Sequence, residues 1–358
     1  MRATYIWQQN KWPDFTWNDS KLSYKLGRVR SLQGKLVGKM SVLGFDLKNS
    51  AILDALTADI TKSSGIEGEI LNIDQVRSSV ARHLGIEIEG IPEADRYIDG
   101  VVQVMIDATQ NYMQPLTDER LFNWHAALFP TGRSGAYKIT VANWRQGSEP
   151  MQVISGAMEK EKIHYQAPDS SEIPYQMGLF LDWVNDNQEI DPVLKAAIAI
   201  HPFDDGNGRI SRTITDLFLA RADEMPYRFY SMSAEIRKQR KSYYDILEKS
   251  QKSGLDITDW LEWFLDCLKA ALIHTEKMVS TVLQKAAFWD KHRLVLMNER
   301  QIKMVNLLWD GFNGKVTSSK WGKITKCSAD TALRDIQDLI AKMYCGKQTK
   351  EDVAPITN

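Results

Sequence analysis

The feature that most limits how this chain can fold is the recurrence of apolar residues at three- and four-residue spacing along almost its whole length. Leu22, Leu26, Val29, Leu32, Leu36 and Met40 fall on one side of a 3.6-residue repeat, and Asn18 or Asp19 just before them supplies an N-cap. The same spacing predicts helices over 49–61, 72–84, 95–112, 117–128, 174–185 and 192–200, several opened by a Thr or Asp that can accept from free helix N–H groups. It resumes through 209–221, 233–250 and 257–291 and ends in three short runs, 298–309, 317–325 and 328–343. Only between Pro130 and Pro168 does the period change. There Gly132, Gly135, Gly147 and Gly156 punctuate two short extended runs, 151–155 and 162–166, that can pair as a hairpin. The expected fold is mainly α with one β element.

With 43% apolar and 25% charged residues in 358, the chain has enough apolar side chains for a sizeable core, which excludes a disordered protein. Lys and Arg number 45 against 46 for Asp and Glu, so no global field draws the molecule to nucleic acid or anionic lipid, and any such binding is local. Cys267, Cys327 and Cys345 are widely spaced with no C-x-x-C pair, which argues against a disulfide framework or a cysteine zinc site and fits a reducing compartment. The start has no apolar stretch of signal-peptide length. The richest run, 260–273, carries Glu262, Asp266 and Lys269, so no membrane span is expected. These readings point to the cytoplasm.

One stretch carries chemistry: His201-Pro-Phe-Asp-Asp-Gly-Asn-Gly-Arg-Ile-Ser-Arg212, between two helical runs. Gly206-Asn207-Gly208 can bend the backbone so that successive N–H groups converge on an anion, and the helix beginning there adds the positive end of its dipole. Arg209 and Arg212, at i and i+3, share one face of its first turn and can reach separate phosphates. Asp205 is a hard oxygen ligand suited to a Mg²⁺ that bridges phosphates, and His201, with an ordinary pKa near neutrality, can serve as general base on a hydroxyl. Taken singly, each has a bland reading: a structural histidine, a plain turn, solvent-facing arginines.

Together the twelve residues resemble the motif of the Fic family (filamentation induced by cyclic AMP), H-P-F-x-D-G-N-G-R-x-x-R, at all nine specified positions. The resemblance implies a helical core that binds ATP with Mg²⁺ and transfers AMP to a Ser, Thr or Tyr hydroxyl of a protein, itself included, releasing pyrophosphate. It makes His201 the base, Asp205 the metal ligand, Gly206, Asn207 and Gly208 the phosphate cradle, and Arg209 and Arg212 the holders of the β- and γ-phosphates. Phe203 is read as the apolar anchor of the loop. The region 137–167 resembles the family's flap, which registers a target by strand addition. Arg240, Tyr243 and Tyr244 resemble positions lining the nucleotide pocket; on their own the tyrosines would read as core. Where the family's helix continues for about two further turns before the motif, residues 194–200 meet His201 directly, a shortening that would displace the base.

Ser63-Ser-Gly-Ile-Glu67-Gly68 is read as opening the helical run that follows, and Ser64 to Glu67 has the spacing of a capping box. In a Fic protein, S-x-x-x-E-G is the inhibitory motif, matched by Ser63, Glu67 and Gly68. A carboxylate paired with Arg212 would occupy the guanidinium meant for the γ-phosphate.

The expected organisation is an N-terminal helical extension (1–44), a Fic core (45–291) with the inhibitory motif at 63–68 and the catalytic motif at 201–212, and a winged-helix-like domain (298–350). The tail has ten basic and five acidic residues over 298–350. Residues 328–343 would be its recognition helix, with Arg334 and Lys342 toward phosphates, although Asp330, Asp335 and Asp338 oppose DNA. Contact with DNA, contact with a protein and homodimerisation all stay open for this tail. Two rival functions stand beside AMP transfer: a DNA-binding regulator that only senses nucleotide, and removal of AMP from a modified protein with Glu67 orienting a water.

Overall fold

The computed structural model describes residues 5–41, 44–87, 92–147, 151–155, 162–186, 190–197, 201–309, 312 and 314–344. The chain divides into two units, Met1–Glu276 and Lys277–Asn358. The first opens with α1 (Asp19–Ser41), which buries Leu22, Val29, Leu32, Leu36 and Met40 as its periodicity requires. Then come α2 (Phe45–Ile66), α3 (Ile73–Leu84), α4 (Arg96–Gln110) and α5 (Asp118–Leu128). Local signals set these ends. Asn72 accepts from Asp74 N and Gln75 N, Asp95 from Ile98 N and Thr117 from Arg120 N.

Two antiparallel hairpins follow. The first, β1 (Arg133–Ser134) with β2 (Tyr137–Lys138), is too short to leave a periodic trace in the sequence. The second pairs β3 (Gln152–Ser155) with β4 (Lys162–Gln166) in the register Gln152↔Gln166 and Val153↔Tyr165, with an irregularity before Ile154. This is the hairpin expected from the extended runs 151–155 and 162–166. Next are α6 (Ile173–Asn185), α7 (Pro192–Lys195) and α8 (Asn207–Asp223). The last part of the helical run expected to meet His201, residues 198–200, lies outside the described residues.

Helix α8 is the centre of this unit. Ile210, Ile214, Leu217, Phe218, Leu219 and Ala220 are all inaccessible or nearly so, and α1, α2, α4, α5 and α7 pack around the helix. A helix enclosed on every side must also satisfy its polar residues internally, which places the partners of its first turn inside the protein. The expected helix over 233–250 is two, α9 (Met232–Lys238) and α10 (Arg240–Gln251), because the chain turns at Gln239, whose N–H bonds back to Glu235 and Ile236. Helix α11 (Thr258–Lys291) crosses the division between the units.

The segment 63–68 closes α2 and does not open the next helix, contrary to the sequence reading. Gly68 adopts φ +91°, its N–H bonds to Gly65 O (3.4 Å), and Glu69 N bonds to Ser64 O (3.0 Å). These two bonds are the pair that ends a helix on a left-handed glycine. The capping-box reading falls with it, since the buried Ser64 hydroxyl has no partner.

The second unit contains α12 (Glu299–Trp309), α13 (Ser318–Thr325) and α14 (Ala329–Tyr344) around Met304, Val305, Trp321, Ala332 and Leu339. The last residues of the expected winged-helix-like domain, 345–350, lie outside the described residues, Cys345 among them; Cys267 and Cys327 are free thiols. Among the described residues no helix is long and apolar enough to cross a membrane.

Candidate nucleotide site at the start of helix α8

Gly206 holds φ +78° at the N-cap of α8, and a Cβ there would come within 2.7 Å of the Phe129 ring, so only glycine lets the loop enter the helix this way. Asn207 then ties the loop shut. Its Oδ1 accepts from Phe203 N (2.9 Å) and its Nδ2 donates to Phe203 O (2.8 Å), so the side chain shapes the cradle while its backbone N–H stays at the helix start. Phe203 is fully buried, as an anchor should be.

The two arginines lie within 6% of full burial, and both have acidic partners. Arg212 donates from Nε to Ser63 Oγ (2.8 Å) and from Nη2 to Ser63 O (3.1 Å), and the same Nη2 stands 2.8 Å from Glu67 Oε1. The carboxylate also lies against Gly208, where a Cβ would be 2.1 Å from Oε1. Arg209 donates from Nη1 to Glu69 Oε2 (3.0 Å) and to the Tyr97 hydroxyl (2.8 Å), with its guanidinium 4.9 Å from the Phe129 ring centre. Tyr243 and Tyr244 are in edge contact, centroids 5.1 Å apart, and both feel the charges of Glu67 and Arg212. Burial raises both phenol pKa values.

His201 is half-buried beside the Tyr165 ring of β4 (5.1 Å) and lines an apolar cavity of about 100 Å³ together with Trp7, Trp12, Pro202 and Trp260. Burial lowers its pKa from the usual 6.5 to about 4, against the opposing pull of Glu67. The ring is therefore unprotonated at neutral pH and can accept a proton. Asp205 accepts at Oδ1 from Gly206 N (2.6 Å) and at Oδ2 from the Ser134 hydroxyl. A single carboxylate beside an anion cradle fits Mg²⁺, which Asp205 would hold and which would offset phosphate charge there. Among the described residues no group of three or more His, Cys, Asp or Glu side chains forms a metal cage.

A model of the Fic/DOC family matches residues 115–219, and one described as a domain of unknown function (DUF4172) matches residues 5–86. The protein adenylyltransferase Fic of Aedes aegypti is 26% identical over 232 residues, covering 61% of this chain and 41% of the mosquito protein; that of Culex quinquefasciatus is 26% identical over 229 residues with the same coverage. Residues 115–219 are a Fic/DOC domain. The chain spans about two fifths of the length of those relatives. A Fic family protein from Desulfovibrio desulfuricans G20 shares the fold with a TM-score of 0.52 at 20% identity, over 93% of this chain and 92% of that one. A Fic domain containing signaling protein from Bacteroides thetaiotaomicron does so with the same score and identity, over 71% and 97%.

Within this Fic core the sequence motif missed three residues. His125 of α5 stacks flat on Phe203 (4.2 Å, 8°), receives Ala142 N at Nδ1 (3.4 Å) and reaches Asp205 O from Nε2 (3.2 Å). Burial lowers its pKa, which keeps Nδ1 available as an acceptor. Its one sequence signal is its position on the apolar face of α5 with Leu121, Trp124 and Leu128. Glu69 and Tyr97, the partners of Arg209, have none.

Proposed function

We propose that this Fic protein transfers the AMP moiety of ATP to a hydroxyl side chain of a protein, itself included, with His201 as general base and Glu67 as an intramolecular brake. The observation that carries the reading is the pairing of an unprotonated histidine with two buried arginines at the start of one buried helix, one arginine already holding a carboxylate at 2.8 Å. The hydroxyl oxygen attacks the α-phosphorus, its proton passes to the His201 imidazole, and the bond to the bridging oxygen breaks to release pyrophosphate. Arg209, Arg212 and the N–H groups of α8 hold the β- and γ-phosphates and offset the charge that develops on the leaving group. When bound, Mg²⁺ supplies further charge compensation there, with Asp205 as the protein's ligand.

The names of the mosquito relatives support this reading. Labelled ATP in a cell lysate tests it: Glu67→Gly is expected to label protein, and His201→Ala in the same background is expected to lose the label by about 10²- to 10⁴-fold. Undiminished labelling in the double variant would remove His201 from the chemistry.

For the tail, one observation favours duplex DNA as a partner. Asp335 is buried and accepts from Arg300 and Asn298, and Asp338 accepts from Gln301 and Lys342, so two of the three opposing carboxylates are already compensated. Lys320, Lys323, Lys326 and Arg334 are exposed. Salt-dependent binding of the full chain to DNA, lost on changing these four to alanine, is the expected outcome.

A further inference from the structure

We propose that Glu69 and Tyr97 are a positioning pair for Arg209, fixing its guanidinium so that its unpartnered Nε is kept for the β-phosphate of a bound nucleotide. The proposal rests on the reading of the α8 start as a nucleotide site. Three hydrogen bonds close a triangle: Arg209 Nη1 donates to Glu69 Oε2 (3.0 Å) and to the Tyr97 hydroxyl (2.8 Å), and that hydroxyl donates to the same Glu69 oxygen (2.5 Å). Burial raises the pKa of Tyr97, so it keeps the proton this last bond uses. Phe129 lies under the guanidinium and limits its tilt. All of this holds one nitrogen.

The Nε of Arg209 is buried and has no hydrogen-bond partner. A buried N–H without an acceptor is costly, and it is found where something absent from the free protein supplies one. Arg212 shows the contrast. Its Nε and Nη2 are both taken, by Ser63 and Glu67, so that edge of the fork is filled and the buried nitrogen without a partner is Nη1. Glu67 and Glu69, two residues apart on either side of Gly68, thus meet the two arginines at different nitrogens: one carboxylate takes Nη2 of its arginine, and the other steadies its arginine at Nη1.

Calorimetric titration of the full chain with ADP and with AMP tests the pair. ADP carries a β-phosphate but no γ-phosphate, so it calls on Arg209 without needing Arg212. Tyr97→Phe, which removes the hydroxyl and no charge, is expected to weaken ADP about three- to tenfold and leave AMP unchanged. Glu69→Gln is expected to act in the same direction, and it decides the matter if Tyr97→Phe does not fold. Equal weakening of AMP and ADP would reduce the pair to packing, and tighter ADP binding in either variant would make Glu69 a second brake; either result overturns the proposal. ADP affinity unchanged in both variants overturns it while leaving the transfer reading intact. Failure of Glu67→Gly to transfer AMP, with the ADP-to-AMP shift still present, would overturn the transfer reading alone.

Discussion

In the proposed transfer two side chains carry most of the chemistry, and each makes a separate demand on its surroundings. His201 has to be neutral to take a proton, and burial, against the opposing pull of Glu67, brings its pKa down to about 4. The acid limb of a kcat/KM profile in the Glu67→Gly background should therefore lie well below the usual 6.5 of a free imidazole. The same shift links to stability. Between 6.5 and about 4 the unfolded ring binds a proton that the folded ring refuses, so the stabilisation present above 6.5 is lost as pH falls through that window. Denaturant titrations of the wild type and of His201→Ala, compared at pH 7.5 and pH 5, should show a smaller loss in the variant. At Arg212 the test is a sign: Glu67→Gly should raise AMP transfer, and Arg212→Ala added to it should cancel the gain, because the freed guanidinium is what holds the γ-phosphate.

At the level of elements, the proposed brake depends on where α2 stops. Gly68 at φ +91° lets the chain leave the helix while Glu69 N and Gly68 N close its last carbonyls, and this presents Glu67 to Arg212 and Glu69 to Arg209. Nothing lies within 4 Å of where a Gly68 Cβ would sit, so Gly68→Ala meets only the backbone penalty, about 1 kcal/mol. That variant should fold, lose about that much stability in urea, and show basal AMP transfer between those of the wild type and Glu67→Gly. This helix end is also what the sequence did not make legible. The spacing of Ser64 and Glu67 suits either end of a helix, and only the left-handed glycine and the 149-residue reach from Ser63 to Arg212 decide between them. The contiguous stretch 201–212 could be read without a structure because its cradle, arginines and base are neighbours in the chain. Glu69, Tyr97 and His125 could not, since they meet their partners across 140, 112 and 80 residues.

At the level of the molecule, the two units have separate cores and so should respond separately to damage. In the second, hydrogen bonds from Arg300 lead the interactions that hold the Asp335 carboxyl below the usual carboxylate range, and Asn298 adds to them. Asp335→Ala leaves these donors without their acceptor and should cost that unit about 1–3 kcal/mol. Calorimetric scanning is expected to show the transition of the second unit moving down while that of the first stays in place, with AMP transfer unchanged at low temperature; a joint shift of both would count against independent cores.

Glu67 and Arg212 belong to one chain, 145 residues apart, and this limits how the proposed brake could be released. A tethered carboxylate faces its arginine at an effective concentration of about millimolar or more, fixed by the fold and unaffected by how much protein is in solution. Dilution cannot lift such a block. Relief has to come from whatever favours a loosened end of α2, whether warmth, a substitution there, or a ligand that binds the opened form more tightly than the closed one.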